Sequence, residues 1–297
     1  MNMLRVNDID LAYDSYGSEK NETILLIAGL GTQMIRWTVP FCEMLAARGF
    51  RVIRFDNRDT GLSTHFSNHA TLDFKALAQT LMSGKLPDLP YTLDAMADDT
   101  VALLDALGIE KAHVVGRSMG GMIAQLVSIQ YPERILSLTS MMSTTGNPEL
   151  PPTSPEVMAL MTGPAPNPME DEEGYLAHSV AFAKRIAGTG HPFEEEEYRS
   201  LIREEIQRAY DSGSVGRQIA AIAVSGDRRA RLAKVKVPAL VIHGVDDPMF
   251  VPACGRDTAE VINGAELMLL EGMGHDLHQQ LFKTVVDAIE RTARRKR

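Results

Sequence analysis

A short run, Ala112-His113-Val114-Val115, leads directly into Gly116-Arg117-Ser118-Met119-Gly120-Gly121 and then into a helix-like stretch over residues 122–130. This succession of strand, tight turn and helix constrains the fold more than any other feature of the chain. A strand can pass into a helix across a single residue only if the backbone turns sharply, and small residues on either side let the chain cross itself. The residue at the apex is then held out on a strained turn, which makes Ser118 the candidate nucleophile. The same letters also describe an ordinary glycine-rich strand-to-helix loop, so the weight they carry depends on what surrounds them.

Residues 5–14 alternate apolar and polar around an Asn7-Asp8 break, the pattern of a hairpin at a sheet edge. Residues 23–28 form a continuous apolar run, as a strand covered on both faces requires, and end at Gly29-Leu30-Gly31. Residues 51–55, 135–141, 237–242 and 265–270 read as further strands. Between them, residues 93–107 carry apolar positions at helical spacing and stop at Gly108, a suitable C-terminal cap. Such alternation predicts an α/β fold with a mostly parallel, doubly wound sheet, in which ligands bind beyond the carboxyl ends of the strands. Gly29, Asp56 and Ser118 all fall at such ends. The charged loop over residues 56–63 is expected to brace itself through Asp–Arg pairing. Trp37, the only tryptophan, is expected in the core.

After residue 141 the alternation stops, and no new strand is expected until residue 237. Residues 142–227 begin with a Pro/Gly-rich entry, continue with several helix-like segments, and are too long for a loop. They are read as an inserted helical cap on a core made of residues 1–141 and 228–297. A cap over the carboxyl edge of the sheet covers Ser118 and shapes an apolar pocket. Met141, Met142, Met158 and Met161 are candidates to line it, although methionine also fills irregular cores.

The strand at 237–242 runs into His243-Gly244-Val245-Asp246-Asp247-Pro248, which places a carboxylate at the same edge as Ser118. Asp247, by its spacing from Gly244, is the preferred acid and Asp246 the runner-up. The strand at 265–270 runs into Glu271-Gly272-Met273-Gly274-His275, where the glycines let His275 reach the serine as general base; a helix over 277–289 fixes the loop behind it. His278 competes, but helical spacing puts it about one turn away. The loop after residue 28 can present a backbone N–H to a developing oxyanion, so the expected donors are the amides of Leu30 and Met119.

At 297 residues and 44% hydrophobic, the chain can bury the core of one large domain with an insertion. Its net charge of −9 is spread over short segments, with acidic clusters at 170–173 and 194–197 that read as solvated helix faces. No lysine- or arginine-rich face is apparent, so nucleic acid is not an expected partner. No stretch approaches the roughly 18 uninterrupted apolar residues of a membrane span, and residues 1–8 lack a signal-peptide core, so the expectation is cytoplasmic. Cys42 and Cys254 lie far apart without metal-ligand spacing and are expected as buried free thiols. No metal or cofactor is expected, and the sequence leaves a homodimer open.

The loop around Gly29, Asp56-Asn57-Arg58-Asp59-Thr60-Gly61, the turn at Ser118, the acid at Asp247 and Gly274-His275 together resemble the α/β-hydrolase superfamily over nearly the whole chain. Within it the chain is similar to the aclacinomycin methylesterase branch, through Arg58-Asp59-Thr60-Gly61, His113-Val114-Val115-Gly116 and Gly188-Thr189-Gly190-His191-Pro192-Phe193. The resemblance implies an α/β-hydrolase fold, a Ser-Asp-His triad in that chain order, and cofactor-independent hydrolysis of small, methyl or short-chain esters through an acyl-enzyme. Many relatives have His-Gly where this chain has Ala28-Gly29, which keeps the backbone donors and changes their surroundings. The serine separates the chain from the dehalogenase and epoxide hydrolase branches, which carry an aspartate there. Lactone, thioester and carbon–carbon bond hydrolysis use the same triad, and a non-catalytic ligand-binding protein is the alternative of a different class.

Overall fold

The N-terminal hairpin joins β1 (Asn2–Val6) to β2 (Ile9–Tyr16), and the chain reverses through Asn7 and Asp8 at φ 45° and 62°, a left-handed conformation these two residue types tolerate. The computed structural model describes residues 1–69 and 74–295. Six more strands follow: β3 (Thr23–Ile27), β4 (Arg51–Phe55), β5 (Ala112–Arg117), β6 (Ile135–Met141), β7 (Ala239–Gly244) and β8 (Glu266–Leu270). They form one eight-stranded sheet in the order β1-β2-β4-β3-β5-β6-β7-β8, with β2 antiparallel to both neighbours and every other pair parallel.

The helices are α1 (Val39–Ala47), α2 (Phe74–Met82), α3 (Leu93–Ala106), α4 (Met119–Gln130), α5 (Pro155–Thr162), α6 (Glu172–Ile186), α7 (Glu195–Arg208), α8 (Ser214–Ser225), α9 (Arg229–Leu232), α10 (Pro252–Val261) and α11 (Phe282–Ala293). The apolar run of β3 shows why the sheet needs helices on both sides. Leu25 and Ile27 join a cluster with α3 and α4, while Ile24 and Leu26 join one with Phe41, Cys42 and Leu45 of α1 and Val285, Val286 and Ile289 of α11. Successive strand residues point to opposite faces, so a strand covered twice must be apolar throughout. Full burial of each such side chain stabilises the fold by about 1.5–3 kcal/mol. Both cysteines are buried and free, and burial pushes the Cys42 thiol up to about 12. Trp37 lies in the second cluster, stacked on Phe41. Among the described residues no helix is long and apolar enough to cross a membrane.

Helices α5 to α8 fall between β6 and β7, where the sequence breaks its alternation. Two of them, α7 and α8, are tied to the sheet's carboxyl edge by charge. Glu205 of α7 accepts two hydrogen bonds from Arg36 at 2.8 Å, and Arg208 reaches Asp56 at 2.6 Å. Arg217 of α8 grips Asp59 at 2.6 and 2.8 Å, and Gln218 accepts from the Gly31 amide at 2.8 Å. The loop over 56–63 is therefore not braced by Asp–Arg pairs of its own, as its composition suggested, although Asp56 does accept the Leu62 amide at 3.0 Å. Its charges point outward: Asp56 to α7, Asp59 to α8, and Arg58 to Asp99 of α3 at 2.5 and 2.7 Å. Behind the histidine loop, a 3-10 turn at Gln279–Leu281 precedes α11, where a single helix was expected.

Candidate active site

Ser118 sits between the last residue of β5 and the first of α4 with φ 54° and ψ −122°. A non-glycine residue in that region carries about 1–3 kcal/mol of backbone strain, so the surroundings must hold it. The flanking glycines make the turn possible: a Cβ on Gly116 would lie 1.9 Å from the Gly120 carbonyl oxygen, and one on Gly120 would lie 2.2 Å from that of Ile27. The turn is then fastened to β6 and the residues beyond it. The Ser118 amide donates to the Met141 carbonyl at 2.9 Å, and the Ser143 hydroxyl donates to the Ser118 carbonyl at 2.9 Å.

His275 Nε2 lies 2.9 Å from Ser118 Oγ, and its Nδ1 lies 2.7 Å from Asp247 Oδ2. Asp247 is buried, and its other oxygen accepts the amides of Met249 and Phe250, each at 2.9 Å. Those two bonds aim the carboxylate, and the Phe250 ring meets the imidazole edge-on with centroids 5.5 Å apart. With Nδ1–H donating to Asp247, Nε2 is free to accept the Ser118 proton, which is the tautomer that general-base chemistry needs. The three residues follow one another as serine, acid, histidine along the chain. Asp246, the runner-up acid, instead accepts the Thr189 amide at 3.1 Å and the Thr189 hydroxyl. His278 stacks on His191 with centroids 4.6 Å apart and caps the following turn.

Composition gave no warning of how the histidine loop is suspended. The His275 amide donates to the Ile186 carbonyl at 2.6 Å, the Gly274 amide to Ala187 at 3.0 Å, and the Gly190 amide to Gly272 at 2.9 Å. The end of α6 and the glycine-rich segment after it thus hold the loop by backbone alone. Gly188 makes this approach possible: its φ is 92°, and a Cβ there would lie 2.3 Å from the Gly274 nitrogen.

Above Ser118 lies a cavity of about 280 Å³, walled by Leu160, Phe182, Ile186, Ile202 and Met249 among others. Leu30 lines it, and among the described residues nothing accepts the Leu30 amide. Met119 is the first residue of α4, where an amide has no intrahelical partner and the helix dipole is positive. A Cβ on Gly29 would lie 3.3 Å from that of Ser118, so this loop and the serine are in contact. Of the four methionines proposed for the lining, Met142 and Met161 are there. Met141 is not: as the last residue of β6 it packs into the core beneath. Met158 is 40% exposed and lies outside the lining, because Val157 and Met161, one turn apart, take the inward face of α5.

Among the described residues, Asp59, His65 and Asp211 have the mutual spacing of metal ligands. Arg217 already bridges both carboxylates, at 2.6–2.8 Å to Asp59 and 2.8 Å to Asp211, so their negative charge is spent on that guanidinium.

The sheet order, the strained serine at the end of β5 and the acid and histidine loops after β7 and β8 are those of a hydrolase fold. The chain belongs to the alpha/beta hydrolase fold family, which matches residues 22–280. It is 32% identical to rhodomycin D methylesterase DauP of Streptomyces sp. (strain C5), over 97% of this chain and 96% of that protein. It is likewise 32% identical, with the same coverage, to rhodomycin D methylesterase DnrP of Streptomyces peucetius. The enol-lactonase from Burkholderia xenovorans LB400 shares the fold, with a TM-score of 0.70 at 24% identity over 96% of this chain and 98% of that one.

Proposed function

We propose that this protein is a serine carboxylesterase acting on small, methyl or short-chain esters through an acyl-enzyme. The observation that carries the reading is the unbroken hydrogen-bond chain from Ser118 Oγ through His275 to buried Asp247, at 2.9 and 2.7 Å, on the floor of an apolar cavity. His275 takes the Ser118 proton as the oxygen attacks the ester carbonyl, and the amides of Leu30 and Met119 hold the oxyanion. The same imidazole protonates the leaving alcohol and then activates the water that releases the acid. Similarity over the whole chain to two methylesterases supports the choice of ester over other carbonyl substrates. The helices between β6 and β7, residues 142–227, act in this reading as the cap that confines the acyl group.

The test is hydrolysis of p-nitrophenyl esters of increasing acyl length by wild type and Ser118→Ala. Turnover on short chains that disappears in the variant is the expected result. Equal turnover by both proteins would remove Ser118 from the chemistry. Inactivity on every ester, with Ser118 still labelled by a phosphonate, would move the reaction to lactones, thioesters or carbon–carbon bonds.

A further inference from the structure

Arg36, Arg117, Tyr198 and Asp276 line both the cavity above Ser118 and a smaller pocket of about 100 Å³ beside it. Trp37 and Thr38 complete the polar wall of that smaller pocket. Three of its donors go unused among the described residues. The Trp37 indole N–H and the Thr38 hydroxyl are buried without a partner. The Arg117 guanidinium, on a residue only 8% exposed, makes no hydrogen bond or ion pair and stacks 5.3 Å from the centre of the Trp37 ring. Its neighbour Arg36, by contrast, is paired with Glu205 and bonded to Tyr198. Asp276 is exposed and forms no ion pair with Arg117. Burial lowers the Arg117 pKa to about 10, which leaves it a cation at neutral pH. A buried cation that makes no direct ion pair is costly to maintain, and groups of this kind are normally paired.

We propose that this pocket binds a carboxylate carried by the substrate, so that the preferred esters are half-esters whose acyl part ends in a free carboxylate. The inference rests on the esterase reading and names its substrate class. A guanidinium presents parallel N–H donors that match a carboxylate. Glu205 and Asp276 act electrostatically on Arg117 without pairing with it, and they weigh about twice as heavily against a dianion such as phosphate as against a singly charged carboxylate. Arg117 and Ser118 both line the larger cavity, so a carboxylate at the guanidinium and an ester at the serine occupy one connected space. A methyl leaving group has no place for the charge, which assigns it to the acyl side.

Two measurements test this. By pH-stat, monomethyl glutarate, adipate and pimelate are compared with the methyl esters of pentanoic, hexanoic and heptanoic acids. The expected result is a kcat/KM at least about tenfold higher for the best half-ester than for its neutral counterpart, expressed mainly in KM. In Arg117→Gln that ratio falls to near one, and Arg117→Lys restores part of it. Independently of turnover, Trp37 is the only tryptophan in the chain, so its fluorescence reports on the pocket. Titration with glutarate or adipate at constant ionic strength should give a saturable change in wild type and none in Arg117→Gln. No saturable change, or the same change with sodium chloride, combined with equal rates on both ester series, would overturn the carboxylate site and leave the esterase intact. Saturable binding without hydrolysis of any ester would support the site and overturn the esterase reading.

Discussion

Replacing Gly188 with alanine tests whether the segment after α6 positions the histidine. At Gly188 an added Cβ would meet the Gly274 nitrogen at 2.3 Å, the Gly272 oxygen at 2.4 Å and the Met273 carbonyl carbon at 2.8 Å. Ordinary Cβ contacts begin at 3.4 Å, so the two backbones must separate by about 1 Å. All the colliding atoms belong to the loop that carries His275, and none can swing aside as a side chain tip could. The two hydrogen bonds from the Gly274 and His275 amides to the Ala187 and Ile186 carbonyls lengthen or break as the loop moves. The left-handed φ of 92° adds roughly 1–2 kcal/mol of strain for any residue with a Cβ. A displacement of about 1 Å at a reacting group costs on the order of 10²-fold in rate. Gly188→Ala should therefore lower kcat on p-nitrophenyl acetate by about that factor, with a smaller change in KM and a fall in Tm of a few degrees. The assay pairs steady-state kinetics with phosphonate titration, so that active sites are counted in both proteins. A variant with wild-type kcat and an unchanged Tm would refute the view that this backbone contact positions His275.

Asp247→Asn preserves shape while removing the charge that holds the Nδ1–H tautomer, and should cost about 10³–10⁴-fold in kcat with the fold retained, as circular dichroism would verify. Arg217→Met leaves Asp59, which is 0% exposed, without its cation; denaturant unfolding should show a loss of about 3–5 kcal/mol. Burial lowers the pKa of His243, whose Nε2 sits 2.6 Å from the Phe250 carbonyl oxygen. The unfolded chain therefore takes up the proton first as pH falls, and stability should decline below about pH 6.5, with wild type losing more than His243→Gln over that range.

The strand ends were legible because each is written in residue types: an apolar run, then glycine, serine, aspartate or histidine. Ser118 and His275, and His275 and Asp247, lie within hydrogen-bond distance because β5, β7 and β8 all end at one edge of the sheet. What could not be read was placed by backbone geometry or by long-range partners. Met141 and Met142 are adjacent and both belong to the core cluster, yet only Met142 also lines the cavity, where the chain turns through φ 41° once β6 has ended. The suspension of the histidine loop uses carbonyls of Ile186 and Ala187, which any residue type could supply. The charges of residues 56–63 were visible, but their partners Arg208 and Arg217 lie more than 140 positions away, so local pairing was the reading composition favoured. Arg117 was visible only as a letter inside the serine motif; its lack of a direct ion-pair partner is a property of the folded surroundings.

The central claim is that Ser118 is a nucleophile activated by His275. Incubation with a fluorophosphonate, followed by intact-mass and peptide mass spectrometry, tests it without knowledge of the substrate. One adduct per chain, located on Ser118 and formed far more slowly in His275→Ala, is the expected result. An unmodified Ser118 in protein that hydrolyses esters, or labelling at the same rate without His275, would contradict it.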